Sequence, residues 1–314
     1  MTHRRELSVA VAYAVILLAL AGVAPAFFAP AHLRDLAVGH ASTLVLACGM
    51  TAVVLSRQID ISIGSQFAIC GIVVGLLARA GWPMPLAAAG AMAAGAALGA
   101  INGALVAGLG LPAIVVTLAT MVAWREALRW ATEGVWVQDL PPAFQWFGLG
   151  QAVGRLLVPL VAAAVCLGSA WLLARTAAGR STYAIGSNTE AARLAGVRPR
   201  AVVWAVFVAM GALTGLAAVL ASVQFIDVQA NAGVGLELRV IAAVVVGGVA
   251  ITGGRGTIAG AALGVALLAT LGPALAFLGA SAYWDRALQG VIILVAVSID
   301  AVSARWPGRT YAAA

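Results

Sequence analysis

The chain has 314 residues, 63% of them hydrophobic and 9% charged, with a mean hydropathy of +1.05. Soluble domains are about half apolar and about a quarter charged, so this composition excludes them and leaves an all-α polytopic membrane protein. The formal charge of +7 comes from 18 basic residues, all arginine, gathered at the ends of apolar runs, which reads as membrane orientation and not as a nucleic-acid footprint.

Taking about 20 apolar residues per crossing, ten spans are expected, near 9–28, 38–55, 61–78, 84–108, 113–132, 155–174, 201–222, 238–251, 258–280 and 285–303. The eighth is short. The first follows His3, Arg4 and Arg5 and is long enough to cross a bilayer, so it is read as an uncleaved span and not a signal peptide. With the N-terminus inside, Arg4, Arg5, Arg57, Arg175, Arg180, Arg193, Arg198, Arg200, Arg255, Arg305 and Arg309 fall on the inner side. Fewer fall outside: Arg34, Arg79, Arg155, Arg239 and Arg286, with Arg125 and Arg129 in the outer half of the fifth span. The bias predicts both termini in the cytoplasm.

Asp60 and Ser62 stand where the third span begins. A carboxylate beside an apolar run avoids lipid, so Asp60 either caps that helix or contacts a translocation pathway. Asn102, in the Gly-rich fourth span, reads as an interhelical hydrogen bond or a second pathway contact. Gly95, Gly99 and Gly103 in the fourth span, and Gly256, Gly260 and Gly264 at the ninth, repeat every four residues and predict close helix approach. The pentapeptide GAALG occurs at 95–99 and again at 260–264, in spans expected to run in opposite directions. An inverted repeat of two five-helix halves would leave such a trace.

In the fifth span Arg125, Glu126, Arg129 and Glu133 form a charged stripe, with Arg129 and Glu133 spaced to pair. Residues 135–151 follow, with Trp136, Phe144, Trp146 and Phe147 beside paired prolines, an aromatic loop suited to the membrane interface. A second outer loop, 222–237, carries Asp227 and Glu237. Arg125, Arg129, Trp136, Asp227 and Glu237 are therefore candidates for docking a periplasmic protein. Cys48, Cys70 and Cys166 sit in apolar runs without C-x-x-C spacing and read as small core residues. No H-E-x-x-H accompanies the histidines, and no metal or cofactor site is expected in the chain.

The polar island is 175–200. Ser187 and Glu190 have capping-box spacing, so a short helix is expected to begin there, to stop at Gly196 in the left-handed conformation and to be barred from continuing by Pro199. At two turns it is too short to stand alone in water and must dock on something. Glu190, Ala191 and Ala192 followed by Arg193 and Gly196 resemble the EAA loop of ABC-importer permeases, the coupling helix that enters a groove of the cytoplasmic ATPase. Ile59-Asp60-Ile61-Ser62-Ile63-Gly64 is similar to the IDLSVG motif of ribose-type sugar importer permeases, and 111–120 to their LPAFIVTLAT. Residues 183–197 and 241–256 match two further motifs of that family, in order. Arg57-Gln58, where the family carries Gly, and the 124–151 stretch resemble its rhamnose and autoinducer-2 branch.

The resemblance implies a single permease domain over 1–314 in the bacterial inner membrane. It also implies a second permease copy or paralogue, a periplasmic sugar-binding protein, and a cytoplasmic ATPase that holds ATP and Mg. The chain itself lacks G-x-x-x-x-G-K-[ST], and it carries neither a G-x-S-x-G with a mid-span His nor paired mid-span acids, so it reads as a transport subunit and not an enzyme. An ion-coupled secondary transporter would want acids near the midplane, and a branched-chain amino-acid permease shares the general plan; both remain alternatives.

Overall fold

The structure is a computed structural model and describes residues 2–279 together with 281, 284, 287, 288, 290–292 and 294, the backbone alone for 2–5. The helices in chain order are α1 Thr2–Val23, α2 Pro30–Leu55, α3 Ile63–Arg79, α4 Met84–Gly103 and α5 Ala113–Thr132, then α6 Gln151–Arg175, α7 Ala177–Ser187, α8 Thr189–Leu194, α9 Pro199–Ser222, α10 Leu236–Val246 and α11 Ile258–Phe277. A π-helical turn, Ala104–Gly108, continues α4. Proline supplies the first turn of α2, α4 and α9, where a missing N–H leaves no bond unmade.

Among the described residues six helices are long and apolar enough to cross a membrane: α1, α2, α4 with its π turn, α6, α9 and α11. The other expected spans differ. α3 has 17 residues, α5 has 20 but carries Arg125, Glu126 and Arg129, and α10 has 11, about 16 Å of helix or half a bilayer. The first span stops at Val23 and a 3-10 turn, Pro25–Phe28, follows where Pro25 cannot continue the ladder. The expected tenth span, 285–303, and the C-terminal arginines lie largely outside the described residues.

α2 is the axis of the bundle, with most of its apolar length buried, and α1 lies on the outside, with Leu20 the one buried residue of its described span 6–23. The expected glycine faces are at the tightest contacts. A Cβ on Gly95 or Gly99 would overlap the carbonyl oxygens of Gly211 and Phe207, so α4 and α9 touch backbone to backbone. Gly260 and Gly264 press in the same way against Gly247 and Ala243, joining α11 to α10. Gly256 lies outside that face, before the helix, at φ +137°. Both copies of the repeated pentapeptide thus mediate close approach.

The two ends differ. At the end away from α8, residues 135–149 fold over 223–235: Val137 and Val228 exchange backbone hydrogen bonds at 2.9 and 3.0 Å, and Trp146 donates its N–H to Val223 at 2.8 Å. Phe144 and Trp146 of the aromatic loop are buried in this cover, whereas Trp136 stays exposed. Residues 222–237, expected as a solvated outer loop, instead descend into the bundle. Val228 packs on Gly71 and Gly75 of α3, and Gly233 reaches Gly64 at the first turn of α3. The descent is possible because Gly233 and Gly235 adopt φ +77° and +78°, which side-chain-bearing residues avoid.

Candidate functional site

At the α8 end, α7 and α8 pack on each other as one unit, with the helix broken at Asn188. Thr176 caps α7 by accepting from the Gly179 N–H at 3.2 Å. Asn188 caps α8, accepting from the Ala191 N–H at 3.0 Å. This corrects the capping box expected at Ser187, which ends α7; Glu190 consequently pairs forward with Arg193 at 2.6 Å. Gly196, at φ +84°, turns the chain into Pro199 as expected. Ala192 is buried in a small apolar cluster with Val106, Ala113, Ile185 and Phe207, and α8 packs on α7 and α9. Glu190, Ala191, Arg193 and Leu194 face out, and Leu194 is 81% exposed. That leucine carried no signal in the sequence, because its period fits either face of so short a helix.

The unit is fastened to the bundle through backbone. Gly186 lies against the Leu55 carbonyl, which also accepts the Gly254 N–H at 2.9 Å, and a Cβ on Gly186 would overlap both. Arg57 donates from Nε to the Thr252 carbonyl at 2.9 Å, and Tyr183 donates to the Gly256 carbonyl at 2.7 Å. Burial, and secondly the nearby Glu6 carboxylate, raise the pKa of Tyr183 above its ordinary value, keeping the hydroxyl a neutral donor.

From Leu55 the chain runs unwound to Ser62, and there it meets a polar centre. The Asp60 carboxylate is fully buried and accepts from the Ser62 N–H at 2.9 Å, from Ser62 Oγ at 2.6 Å and from Gln66 Nε2 at 3.2 Å. It thereby closes a turn onto the residue before α3 and makes no bond to the backbone amides of the helix's own first turn. Asn102 Nδ2 and Gln66 Nε2 both donate to Ser62 Oγ, at 2.8 and 2.7 Å. Thr117 of α5 donates to the Ala113 carbonyl at 2.8 Å and more weakly to Ile59 at 3.3 Å. Asn102 is six residues from the end of the π turn, so the centre lies about 9 Å in from the α8 end.

One turn further, α3 and the half-helix α10 begin side by side. Glu237 and Arg125 both lie against Gly64, where a Cβ would collide with Glu237 Oε2 and the Gly233 carbonyl. Glu237 accepts the Gly235 N–H on Oε1 at 3.2 Å, while its Oε2 and Arg125 Nη1 are buried without a partner. Arg129, in contrast, pairs with Glu126 at 3.0 Å near the surface, and not with Glu133, whose left-handed φ of +52° ends α5. A cavity of about 180 Å³ opens above, lined by Phe67, Ser222, Phe225, Asp227 and Gln229. Of the five residues expected to dock a periplasmic protein, the structure brings Arg125 and Glu237 against Gly64, next to the polar centre, and leaves Arg129, Trp136 and Asp227 toward the far end. Gln66 was overlooked, though a glutamine in an apolar run is itself a visible signal.

Residues 33–297 match the family described as branched-chain amino acid transport system / permease component. The autoinducer 2 import system permease protein LsrC of Shigella flexneri is 38% identical over 262 residues, 82% of this chain and 75% of that protein. The LsrC of Escherichia coli (strain K12 / DH10B) matches to the same extent, and that of Enterobacter sp. (strain 638) is 34% identical over 94% of this chain and 86% of its own. No solved structure matches the chain.

Proposed function

Since the chain belongs to the family of branched-chain amino acid transport system permease components, we propose that it lines the pathway by which an ATP-driven importer brings a small hydroxylated solute across the bacterial inner membrane. The solute is a monosaccharide or a molecule like the autoinducer 2 of the relatives' names. ATP and Mg act on a partner ATPase, a periplasmic binding protein delivers the solute, and a second permease copy or paralogue completes the pathway. Ten spans in two inverted five-helix halves, both termini inside, place α8 in the cytoplasm; the shared use of the GAALG glycines in α4 and α11 supports that arrangement.

One observation carries the reading: a single unwound stretch, 55–62, joins the coupling unit to the polar centre. Leu55 is gripped by Gly186 and Gly254 beside α8, and seven residues on Ser62 is gripped by Asn102. ATP binding by the partner shifts the permease only if α8 makes different contacts in its two states. Movement of α8 with α7 then pulls on Leu55 and changes the start of α3, where Gly64 faces Arg125 and Glu237. In this reading Glu190, Ala191, Ala192, Arg193 and Gly196, with Leu194, form the ATPase contact within a coupling loop at 175–200. Arg125 and Glu237 form the pathway wall, Asp60, Ser62 and Asn102 hold that wall from behind, and Arg129, Trp136 and Asp227 face the binding protein.

The test is substrate-stimulated ATPase activity in proteoliposomes containing the chain, its ATPase and its binding protein. Glu190→Arg is expected to abolish stimulation by solute-loaded binding protein while assembly persists. Full stimulation in the variant refutes the coupling role of α8. A branched-chain amino acid is the second reading, favoured by the opposite charges of Arg125 and Glu237, which match a carboxylate and an ammonium; stimulation by a leucine-loaded binding protein selects it.

A further inference from the structure

We propose that the seam between α2 and α6 binds one phospholipid whose headgroup carries a primary ammonium. Its phosphate sits on Arg34 and Arg155, its ammonium on Asp35, and one acyl chain fills an apolar groove below them. The groove comes first in the argument. α1 packs on α11 at the outside of the bundle, and a cavity of about 340 Å³ stays open between α1 and α6, floored by α2 and α11. From α6 the lining takes only Pro159 and Ala162, side chains too short to close it. The lining is apolar apart from Tyr13 and His40, and the Tyr13 hydroxyl is already engaged with Thr270 at 3.2 Å. Water takes about 30 Å³ per molecule in the liquid, and a methylene group is of similar size, so the groove has room for about ten methylenes. Left empty, it would forfeit the dispersion contacts of its walls, and water would find few bonds there. An acyl chain supplies the contacts and asks for no bonds.

One turn before Pro159, on the same face of α6, stands Arg155. With Gln151 of α6 and Ala31 and Arg34 of α2 it lines a second cavity, of about 400 Å³, at the end where both helices begin. The two linings adjoin on α2 as well, since Arg34 of the upper cavity follows Leu33 of the groove. The upper cavity is charged. Arg34 donates from Nε to the Pro30 carbonyl at 3.1 Å, which leaves its two NH2 groups uncommitted. Arg155 meets Asp35 only at 3.4 Å, a loose pair exposed on both sides. Charged groups at a helix end, above an apolar groove that runs into the bilayer, repeat the order of headgroup and chain in a lipid.

The charges select the headgroup. A phosphate diester takes charge-assisted hydrogen bonds from guanidinium groups, in the bidentate geometry that arginine favours. Arg155 drawn to the phosphate leaves Asp35 in need of a donor, and a primary ammonium brings three N–H groups to it. A quaternary ammonium has no N–H to give. A glycerol headgroup would set Asp35 beside the phosphate with nothing positive between them. The site lies on the opposite end from α8 and apart from the polar centre, and the proposal holds whichever solute the chain carries.

The full chain, freed of lipid in detergent, is titrated with dioleoyl phosphatidylethanolamine, phosphatidylcholine or phosphatidylglycerol, and bound lipid is counted by native mass spectrometry. One phosphatidylethanolamine per chain is expected, with an apparent affinity about tenfold above that of the other two. Arg34→Ala with Arg155→Ala is expected to weaken its binding about tenfold. Asp35→Asn is expected to erase the preference over phosphatidylcholine. Ala37→Phe fills the groove and is expected to displace the acyl chain. All four positions are exposed, so the variants keep the fold. Equal retention of the three lipids identifies a passing annular lipid and overturns the proposal. So does a preference for phosphatidylglycerol, or phosphatidylethanolamine binding that neither the arginine pair nor Ala37→Phe alters.

Discussion

The exposed α7–α8 unit and the polar centre carry similar residues, acids and amides with arginines nearby, and are stabilised by opposite means. α8 is specified within nine residues, 188–196: an Asn188 cap, a Glu190–Arg193 pair three apart and a Gly196 stop. Its ion pair is 65% exposed on both sides and so contributes little to stability. The polar centre and its surroundings draw on four separate helices and on the descending 223–235 segment; Asp60, Ser62, Gln66, Asn102 and Thr117 are buried, and Arg125 and Glu237 beside them are half-buried. Asn102 reaches Ser62 across 40 residues of sequence, and Gly64 meets Glu237 across far more. The exposed unit can exchange partners during a transport cycle at small cost, whereas the buried centre resists any change that leaves a polar atom unpaired. An exposed unit and a buried centre are thus separated by the 55–62 stretch, which touches both.

Joining the two regions too firmly, or prising them apart, has the largest expected effect. Gly186→Val forces side-chain atoms into the Leu55 carbonyl and the Gly254 backbone, an overpacking worth about 3 kcal/mol. The thermal midpoint of the whole chain in nanodiscs is expected to fall, although the substitution lies within the α7–α8 unit. An unchanged midpoint would mean that α7 is not fastened to α2 as described.

Asn188→Ala has an intermediate and local effect. Loss of the cap costs about 1 kcal/mol, felt mainly by α8. Hydrogen exchange is expected to quicken at Ala191 and Ala192 while α3 and α9 keep their protection, and ATPase stimulation is expected to weaken. Uniform loss of protection would show that α8 is part of the buried framework.

The smallest stability effect belongs to the exchange Glu190→Arg with Arg193→Glu. The pair is restored in reverse, so stability is expected to change by less than about 0.5 kcal/mol in a double-mutant cycle. Stimulation of the ATPase is expected to stay lost, because a partner groove reads the positions of the charges and not their sum. Recovery of coupling in the double variant would reduce Glu190 to a helix-stabilising residue.

Much of the architecture was legible residue by residue. Apolar runs located α1, α2, α4, α6, α9 and α11, since a membrane-length helix is a property of consecutive residues. Gly95 and Gly99 announced a tight face, though not that Gly211 and Phe207 would meet it. The inward path of 222–237 was not legible, because Asp227, Gln229 and Glu237 have the composition of a solvated loop. Only its backbone exchange with Val137 and its glycines against α3 reveal where it runs. Arg125 looked like a surface charge for the same reason: its neighbour Arg129 pairs on the surface, and nothing within a helical turn points to Gly64.

By itself the sequence determined that the chain is helical, belongs in a membrane and exposes one short capped helix between two apolar runs. Hydropathy and capping act over a few residues, so the order of residues suffices to state them. Tertiary structure alone decided that Asp60, Gln66 and Asn102 share one hydroxyl, that Arg125 and Glu237 meet at Gly64, and that Leu55, a few residues before Asp60, is held against α7. Those contacts depend on how whole helices lie against one another, which backbone-to-backbone approach at a few glycines sets and no local pattern encodes.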